Sequence, residues 1–194
     1  MSLILASNSQ IRRTMLIQAG VEFDVRSPEF DEDTAKLTGA NEGNETMARR
    51  LAEGKANSIP TEPGDWVIGS DSTVSVEGVG YSKPRDRDEA AAHLSAFSGR
   101  TMLLSSAVAL SRNQRTDWSH AETAKLKFRT MSSAFIEQYL AREWPDVGYC
   151  VGVFRMEGLG VTLFDHVEGQ HYTILGMPLI PLLGALRERG LTAS

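Results

Sequence analysis

The chain has 194 residues and a mass of 21.2 kDa, which corresponds to one domain of ordinary size or to two small lobes that share a core. Its composition, with 41% hydrophobic and 23% charged residues, is that of a globular protein and excludes a disordered chain or a fibrous repeat. The formal net charge of −5 offers no general basic surface for a nucleic-acid polymer, so an anionic ligand would need a local basic pocket.

The cysteine content and the hydropathy pattern bear on the compartment. Cys150 is the single cysteine of the sequence, so the chain cannot form an internal disulfide, which is typical of a reducing compartment. No apolar run approaches the roughly 20 residues of a membrane-spanning helix. The first six residues lack a basic start and are followed at once by polar residues, unlike a signal peptide. These features predict a cytoplasmic protein without a membrane partner.

The first third of the chain predicts a strand, a tight polar turn and a helix in succession. The continuous apolar run at 3–6 is typical of a buried strand, and the helical spacing of apolar residues predicts a helix over 10–19. Alternation over 22–27 predicts a second strand. The polar, acidic segment 28–44 is expected to be a loop, and the segment 45–58 a second helix.

Helices and strands continue to alternate through the rest of the chain, together with hairpin turns. The predicted strands lie at 66–76, 101–111, 116–129 and 161–170, and the predicted helices at 85–97, 132–142 and 178–188. A chain with both crossovers and hairpins favours an α/β fold with some α+β character. Its sheet should be mixed rather than purely parallel.

Several common catalytic templates do not fit. The sequence contains no GxSxG, no Walker loop and no complete GxGxxG, and its four histidines show neither HExxH nor paired spacing. Cys150 has no neighbour in sequence that would lower its pKa, so we interpret it as a small core residue rather than a nucleophile. The remaining candidates are polar clusters at the ends or in the middle of strands.

The first cluster is basic and follows the first strand. Ser7 and Ser9 stand before the predicted helix, and Arg12 lies in its first turn. A helix start offers free backbone N–H groups, and serine hydroxyls and a guanidinium group add donors that suit phosphate oxygens. The segment is therefore a candidate oligophosphate site, although a capped helix with a solvated basic turn explains the same residues equally well.

The second cluster is acidic and is divided between two segments. Asp71 interrupts the apolar strand at 66–76, where an ionised carboxylate is costly to bury unless a cation or hydrogen-bond donors meet it. The acidic run at 29–33 is either a solvated loop or a second source of carboxylates, and Lys83 sits on a proline-stiffened turn. Carboxylates suit Mg²⁺ or Mn²⁺ and basic groups suit phosphate, so together they indicate a nucleotide phosphohydrolase.

Short motifs in a specific order then connect these clusters to a known family. The sequence resembles the Maf family of nucleoside triphosphate pyrophosphatases over nearly its whole length. The motifs are LASxSxxR at 5–12, the Asp-Glu pair at 31–32, RLAxxKA at 50–56, GxD at 69–71, Lys-Pro at 83–84, LxxxSG at 94–99 and GxPL at 176–179. The resemblance implies one Maf-like domain over 1–194 with a Maf/ITPase-like fold, an elongated mixed sheet flanked by helices around a central cleft.

The resemblance also implies an activity and a set of roles. The family hydrolyses a nucleoside triphosphate to the monophosphate and pyrophosphate with the help of a divalent cation, Mg²⁺ or Mn²⁺. By this resemblance Asp71 is the general base, and Glu32 and Asp71 hold the metal. Lys83 is expected to act in catalysis, and the residues expected to bind the triphosphate are Ser7, Ser9, Arg12 and Lys55.

Substrate preference is expected to depend on positions beside the base. The segment around Glu157 is similar to members of the family that prefer 7-methyl-GTP, whereas members that prefer dTTP or UTP usually have glutamine there. A carboxylate can accept two hydrogen bonds from guanine and attracts the positive charge that N7 methylation creates. Two other specificity positions depart from both groups, since Ile11 stands where an aromatic residue or arginine is usual and Ser72 replaces glutamine or threonine.

Two alternatives therefore remain beside a 7-methyl-GTP pyrophosphatase. One is a dTTP/UTP pyrophosphatase of the same family. The other is a non-catalytic nucleotide-binding regulator of septum formation and cell division, as suggested by the association of family members with septum inhibition. The resemblance also implies a homodimer, although no pattern in the sequence itself indicates one.

Overall fold

The computed structural model describes residues 2–39 and 42–193. Its strands are β1 (Leu3–Ala6), β2 (Asp24–Arg26), β3 (Trp66–Val76), β4 (Val79–Tyr81), β5 (Thr101–Arg112), β6 (Arg115–Phe128) and β7 (Phe164–Glu168). Its α-helices are α1 (Gln10–Gln18), α2 (Glu32–Thr38), α3 (Asn44–Asn57), α4 (Arg87–Phe97), α5 (Ser133–Glu143), α6 (His171–Ile174) and α7 (Leu179–Glu188). Within these ranges, none of the helices has the length and apolarity needed to cross a bilayer.

The described strands form one mixed sheet, as the alternation of crossovers and hairpins predicts. The strand order is β2-β1-β3-β5-β6-β7, and β4 pairs with β3 off this path. β1 lies parallel to both β2 and β3, whereas the pairs β3–β4 and β6–β7 are antiparallel. The turn from β5 to β6 consists of Asn113 and Gln114, both with positive φ, a conformation typical of a tight hairpin.

The start of the fold is the predicted strand, turn and helix. All four residues of β1 are buried, and α1 follows after three residues with Ser9 at its N-cap. Ser9 occupies the N-cap position, but its side chain makes no capping hydrogen bond. The helix ends before Gly20, whose φ of +70° is in the region that glycine tolerates best.

The prediction of a loop over 28–44 is wrong at 32–38, and residues 40 and 41 lie outside the description. Helix α2 occupies Glu32–Thr38, and the Asp31 side chain caps it by accepting a hydrogen bond from the backbone N–H of Thr34 at 3.0 Å. The acidic residues of its first turn favour the helix N-terminus electrostatically. The acidic run that suggested a solvated loop is thus a helix start.

The predicted strand at 161–170 is also partly wrong. A 3-10 helix occupies Leu159–Leu163, and β7 begins only at Phe164. The short helix α6 follows and was not predicted, because four residues provide too little periodicity to distinguish a helical turn from a loop.

The described chain divides into two compact units. Unit 1 comprises 1–72, 105–122 and 170–194, and unit 2 comprises 73–104 and 123–169. In unit 1, apolar residues of β1, β3, α1, α3 and α7 are buried around the sheet. In unit 2, five aromatic rings form a row in which the centroids of neighbouring rings lie 4.6 to 5.3 Å apart. In spatial order they are Tyr81, Phe97, Phe128, Phe164 and Phe154.

Candidate active site

A lysine paired with two carboxylates is the central feature of unit 1. The Lys55 ammonium group lies 2.7 Å from Oε1 of Glu32 and 3.0 Å from Oδ2 of Asp71. The Lys55 side chain is only 10% exposed, and that of Asp71 is 13% exposed. Residues 32 and 71, which are far apart in sequence, therefore meet through a single cation.

Close backbone packing brings Lys55 to the strand that carries Asp71. A Cβ atom on Gly69 would lie 2.1 Å from the Ala52 carbonyl oxygen, so only glycine allows β3 to approach α3 this closely. Met47 and Leu51 are buried on one face of α3, and Lys55 lies on the same face one turn later. The glycine that precedes Asp71 by two positions thus allows a helix backbone to approach, not a ligand.

The position of Glu32 depends on a second close packing. The Phe30 ring covers Gly54, where a Cβ atom would lie 2.3 Å from the ring. Phe30 thereby fixes the chain beside α3, and α2 begins two residues later with Glu32 in its first turn. Glu32 also lies 3.7 Å from Lys36 one helical turn away, and its side chain is 38% exposed.

Arg12 provides a second cation beside Asp71. Its Nη2 lies 4.0 Å from Oδ1 of Asp71 and donates to the Ser72 hydroxyl at 3.3 Å. Its Nε donates to the Gly176 carbonyl at 3.0 Å, and Nη1 lies 3.5 Å from the Ser7 hydroxyl. The guanidinium group is therefore held in a fixed orientation with its outer edge toward Asp71.

The Gly176 carbonyl is an acceptor that the sequence did not reveal as part of the site. Besides Arg12, it accepts hydrogen bonds from the hydroxyls of Ser70 at 3.1 Å and Ser72 at 3.3 Å. Gly176 has a φ of +110°, which a side chain would strain. The GxPL motif marked this glycine, but nothing in the sequence showed that its carbonyl orients an arginine of α1.

Ser72 belongs to a chain of hydrogen bonds. Its hydroxyl lies 2.8 Å from that of Ser106, which also contacts the Thr173 carbonyl at 2.8 Å. The hydroxyl predicted to influence substrate choice thus has three hydrogen-bond partners within unit 1, namely Ser106, Arg12 and the Gly176 carbonyl. Ser106 and Thr173 are further residues of this region that sequence reasoning missed.

The remaining residues predicted in the first turn differ in their surroundings. Ser7 is buried, and its hydroxyl accepts a hydrogen bond from the Ser9 backbone N–H at 3.2 Å. Ser9 and Ile11 are both partly exposed. The structure therefore places Ser7 against Arg12, while the side chains of Ser9 and Ile11 are accessible at the start of α1.

The carboxylates suit a hard cation that brings further oxygen ligands with it. Oδ1 of Asp71 accepts from the Ser72 backbone N–H at 2.8 Å, but Oδ2 is buried and makes no hydrogen bond with the described residues, although it forms the ion pair with Lys55. No cluster of three or more His, Cys, Asp or Glu suited to a metal occurs in the described ranges. Two carboxylates fit Mg²⁺, which usually completes its octahedron with water and substrate phosphates.

Lys83 and Glu157 belong to unit 2, where both are exposed and both act on the same thiol. Burial, together with the charge of Glu157, raises the pKa of Cys150 to about 11, although the charges of Lys83 and Arg155 oppose the shift. A thiol with so high a pKa is a poor nucleophile at neutral pH, in agreement with the interpretation of Cys150 as a core residue rather than a nucleophile. The shared influence on Cys150 indicates that Lys83 and Glu157 face one region of unit 2.

Comparison with known proteins identifies the family. The model of the family described as "Maf-like protein" matches residues 2–189. The chain belongs to the Maf family. A "7-methyl-GTP pyrophosphatase" of Rhizobium meliloti (strain 1021) is 42% identical over 193 residues, covering 97% of this chain and 96% of the relative. A "Nucleoside triphosphate pyrophosphatase" of Sphingopyxis alaskensis is 43% identical and covers 98% of both chains.

These matches confirm the family resemblance, and the names of the relatives agree with the expected class of hydrolase. Among solved structures, a nucleoside-triphosphatase or dITP/XTP pyrophosphatase of Mycobacterium abscessus aligns with 97% of this chain and 97% of its own, at 16% identity and a TM-score of 0.48. The fold class rests on the mixed sheet and helices of this Maf protein itself.

Proposed function

We propose that this Maf protein hydrolyses a nucleoside triphosphate to the monophosphate and pyrophosphate, with a preference for 7-methyl-GTP. The observation that carries the proposal is the cluster in which Lys55 contacts both Glu32 and Asp71, with Arg12 on the other side of Asp71. Relatives named for this activity at about 40% identity over nearly the full length support the reaction class.

In the proposed reaction, Arg12 and Lys55 bind oxygens of the triphosphate, because both are cations already held beside the acids. Lys55 exchanges part of its contact with Glu32 for a phosphate oxygen, and the exposed side of the Glu32 side chain leaves room for that exchange. Ser7 and Ser9 add hydroxyl donors at the start of α1. Lys83 has the catalytic role that the family resemblance implies.

The carboxylate of Asp71 orients the attacking water and takes its proton. The water oxygen forms a bond to the α-phosphorus, the bond from that phosphorus to the bridging oxygen breaks, and pyrophosphate leaves. Glu32 and Asp71 would hold a divalent cation, which when bound supplies positive charge to the phosphate oxygens. Positioning of the water and neutralisation of phosphate charge provide most of the acceleration.

Glu157 selects the base in this proposal. Its carboxylate accepts hydrogen bonds from the guanine edge and attracts a base that carries a positive charge. The alternative substrate class is dTTP or UTP, because Ile11 provides an apolar surface without the ring that would stack on a purine. Base–aromatic stacking is worth about 1–3 kcal/mol in other sites, so its absence weakens purine preference.

A substrate panel tests the proposal directly. Pyrophosphate release is measured for 7-methyl-GTP, GTP, dTTP, UTP and CTP with Mg²⁺, with Mn²⁺ and with EDTA. We expect the highest kcat/KM for 7-methyl-GTP, formation of the monophosphate in equal amount, and loss of turnover with EDTA. If no nucleotide releases pyrophosphate with either metal, the proposed enzymatic activity is refuted.

A variant at position 157 separates the two substrate classes. Glu157→Gln should lower kcat/KM for 7-methyl-GTP more than for UTP, since glutamine loses the charge and one acceptor. Glu168→Gln is a matched control, because Glu168 is an exposed acid of unit 2 that lies 3.4 Å from Lys125. An equal loss on both nucleotides in Glu157→Gln would remove this residue from base selection.

A further inference from the structure

Helix α5 holds the segment 153–160, here called the Glu157 loop, at two points. Tyr139 donates a hydrogen bond from its hydroxyl to the Val153 carbonyl at 3.1 Å. Glu143 lies one helical turn further along and contacts Arg155. Val153 is fully buried and has a φ of +56°, a conformation that a β-branched residue adopts only when its surroundings impose it.

Arg155 is paired with two acids in unit 2. Its Nε and Nη2 donate to the same oxygen of Glu143 at 3.1 and 3.0 Å, and its Nη1 donates to Asp146 at 2.8 Å. The Glu143 side chain is only 7% exposed, and that of Asp146 lies largely in solvent. The guanidinium group is thus fixed between two carboxylates on the side of α5.

The Glu157 loop folds back onto the backbone of Arg155. The Gly158 backbone N–H donates to the Arg155 carbonyl at 3.1 Å. A Cβ atom on Gly160 would lie 2.4 Å from that carbonyl oxygen, so this position accepts only glycine. A Cβ atom on Gly158 would lie 3.6 Å from the Glu143 carboxylate. The orientation of the loop therefore depends on where Arg155 is held.

Glu157 differs from the other acids around it. It is exposed, and with the described residues it forms neither a hydrogen bond nor an ion pair. Burial lowers the pKa of Arg155, but the hydrogen bond and charge of Glu143 and the charges of Asp146 and Glu157 raise it overall. Glu157 is therefore within electrostatic reach of Arg155, yet the arginine's directed hydrogen bonds go elsewhere.

We propose that Glu143 and Asp146 are positioning residues that hold Arg155 away from Glu157, so that the Glu157 carboxylate stays available for a purine base made cationic by methylation. This inference rests on the proposed function and adds residues that discriminate a cationic base from a neutral one. An arginine two residues from a carboxylate would otherwise pair with it and cancel the charge that attracts the base.

The inference makes a charge-specific prediction. Glu143→Gln keeps the shape of the side chain but loosens Arg155, which then turns toward Glu157 and weakens attraction for the cationic base. Replacing Arg155 as well removes the competing cation, so the double variant Glu143→Gln/Arg155→Gln should recover the preference. A purely structural role for Glu143 predicts the opposite, because removing both partners disrupts the packing further.

Binding of the product nucleotides measures the preference for the methylated base without turnover. Isothermal titration calorimetry gives the Kd values of 7-methyl-GMP and GMP for the wild type and each variant, and circular dichroism checks folding. Glu137→Gln is the matched control, because Glu137 lies on the same helix and pairs with Arg87 at 2.8 Å. Asp146→Asn is a surface variant that loosens Arg155 from its other side.

We expect the wild type to prefer 7-methyl-GMP and Glu143→Gln to reduce that preference at least about threefold, within the usual range of pairwise coupling. Asp146→Asn should reduce it less, Glu137→Gln should leave it unchanged, and the double variant should return to within about twofold of the wild type. Should Glu143→Gln not fold, an unchanged preference in Asp146→Asn overturns the inference.

The inference is equally overturned by a wild type without preference, by an unchanged preference in Glu143→Gln, or by a double variant that resembles the single one. These outcomes differ from failure of the proposed function. A protein that shows the expected binding ratios but releases no pyrophosphate refutes only the enzyme, and one that releases pyrophosphate with unaltered ratios refutes only this inference.

Discussion

A cation shared by two carboxylates stands at the proposed site of unit 1 and beside the Glu157 loop of unit 2, and the two arrangements differ in how strictly their contacts are directed. In unit 1, Lys55 lies between Glu32 and Asp71. In unit 2, Arg155 lies between Glu143 and Asp146. Both groups combine one buried acid with one more exposed acid and carry the same formal charge.

The difference lies in the geometry of the two cations. The Arg155 guanidinium directs separate N–H groups to both of its acids, so its contacts are specific in direction. Lys55 is a point charge that lies 2.7 Å from Glu32 and 3.0 Å from Asp71 without the fixed fork of a guanidinium group. A directed arginine pair favours a fixed framework, whereas an ammonium group can exchange one carboxylate oxygen for a ligand oxygen.

The largest expected effect is at Asp71. Asp71→Asn should lower kcat by about 10²–10⁴-fold, because an amide cannot take the proton of the attacking water. Nucleotide binding should change little, which a fluorescence or calorimetric titration of the same variant measures. Asp65→Asn is the control, since Asp65 is a buried acid of unit 1 that accepts from the Ser2 backbone N–H at 2.8 Å and makes no ion pair with Lys55. Comparable turnover in Asp71→Asn and wild type would contradict the assignment.

The second largest effect on activity is expected at Lys55. Lys55→Met removes the cation between the acids and should lower kcat/KM by about 10²-fold, as loss of one charged donor does in other phosphoryl-transfer and oxyanion sites. Lys36→Met tests whether position rather than charge matters, because Lys36 also pairs with Glu32, at 3.7 Å, but on the more exposed side. If both variants lose activity equally, the Lys55 cluster is not the reaction site.

The free energy of unfolding should depend more on the Arg155 pairs of unit 2 than on the Lys55 pairs of unit 1. Glu143→Gln is expected to lower the free energy of unfolding by about 2–4 kcal/mol, because it breaks a buried, directed ion pair. Glu32→Gln should change it by less than about 1 kcal/mol, since the Glu32 side chain is 38% exposed and its pairing is screened by water. Urea denaturation of both variants measures the difference, and a larger loss in Glu32→Gln would reverse the comparison.

The smallest effect concerns the thiol near Glu157. With a pKa of about 11, Cys150 in the folded protein should react with a disulfide reagent at pH 8 at least about tenfold more slowly than in the urea-unfolded chain. Glu157→Gln should speed the reaction slightly, because that charge raises the pKa. A rate in the folded protein equal to that of the unfolded chain would contradict the burial of this thiol.

The same shift has a consequence for stability at alkaline pH. The unfolded thiol loses its proton near pH 8.5, while the folded one retains it until about pH 11. The unfolded state therefore binds fewer protons in this interval, so the stability contributed by the thiol is complete below about pH 8.5 and is lost as the pH rises to about 11. Cys150→Ala should remove this component of the alkaline loss.

Local patterns predicted most of the regular structure. The strand at 66–76 has the bounds of β3, and the helix predicted over 45–58 is α3 within one residue at each end. Helix α2 was missed because its stability depends on the Asp31 cap and on Phe30 packing against Gly54, which is a tertiary contact. The strand at 161–170 was too long because its first residues form a 3-10 turn.

The candidate site was predicted in its components rather than in its geometry. Motif order pointed to Glu32, Lys55 and Asp71, but their charges alone are compatible with solvated surface residues. The Gly176 carbonyl that orients Arg12 lies 164 residues away in sequence and carries no charge or unusual side chain. Backbone acceptors of this kind leave no pattern that residue types could reveal.

The order of short motifs in the sequence indicated the family by resemblance. Local spacing and the chemistry of individual side chains determined the mixed α/β character and the residue types that suit phosphate and a hard cation. Only the tertiary structure decided that two acids share Lys55, that Gly69 brings α3 against β3, and that Arg155 pairs with Glu143 and Asp146. Such contacts join residues far apart along the chain, and their distances depend on how the whole core packs.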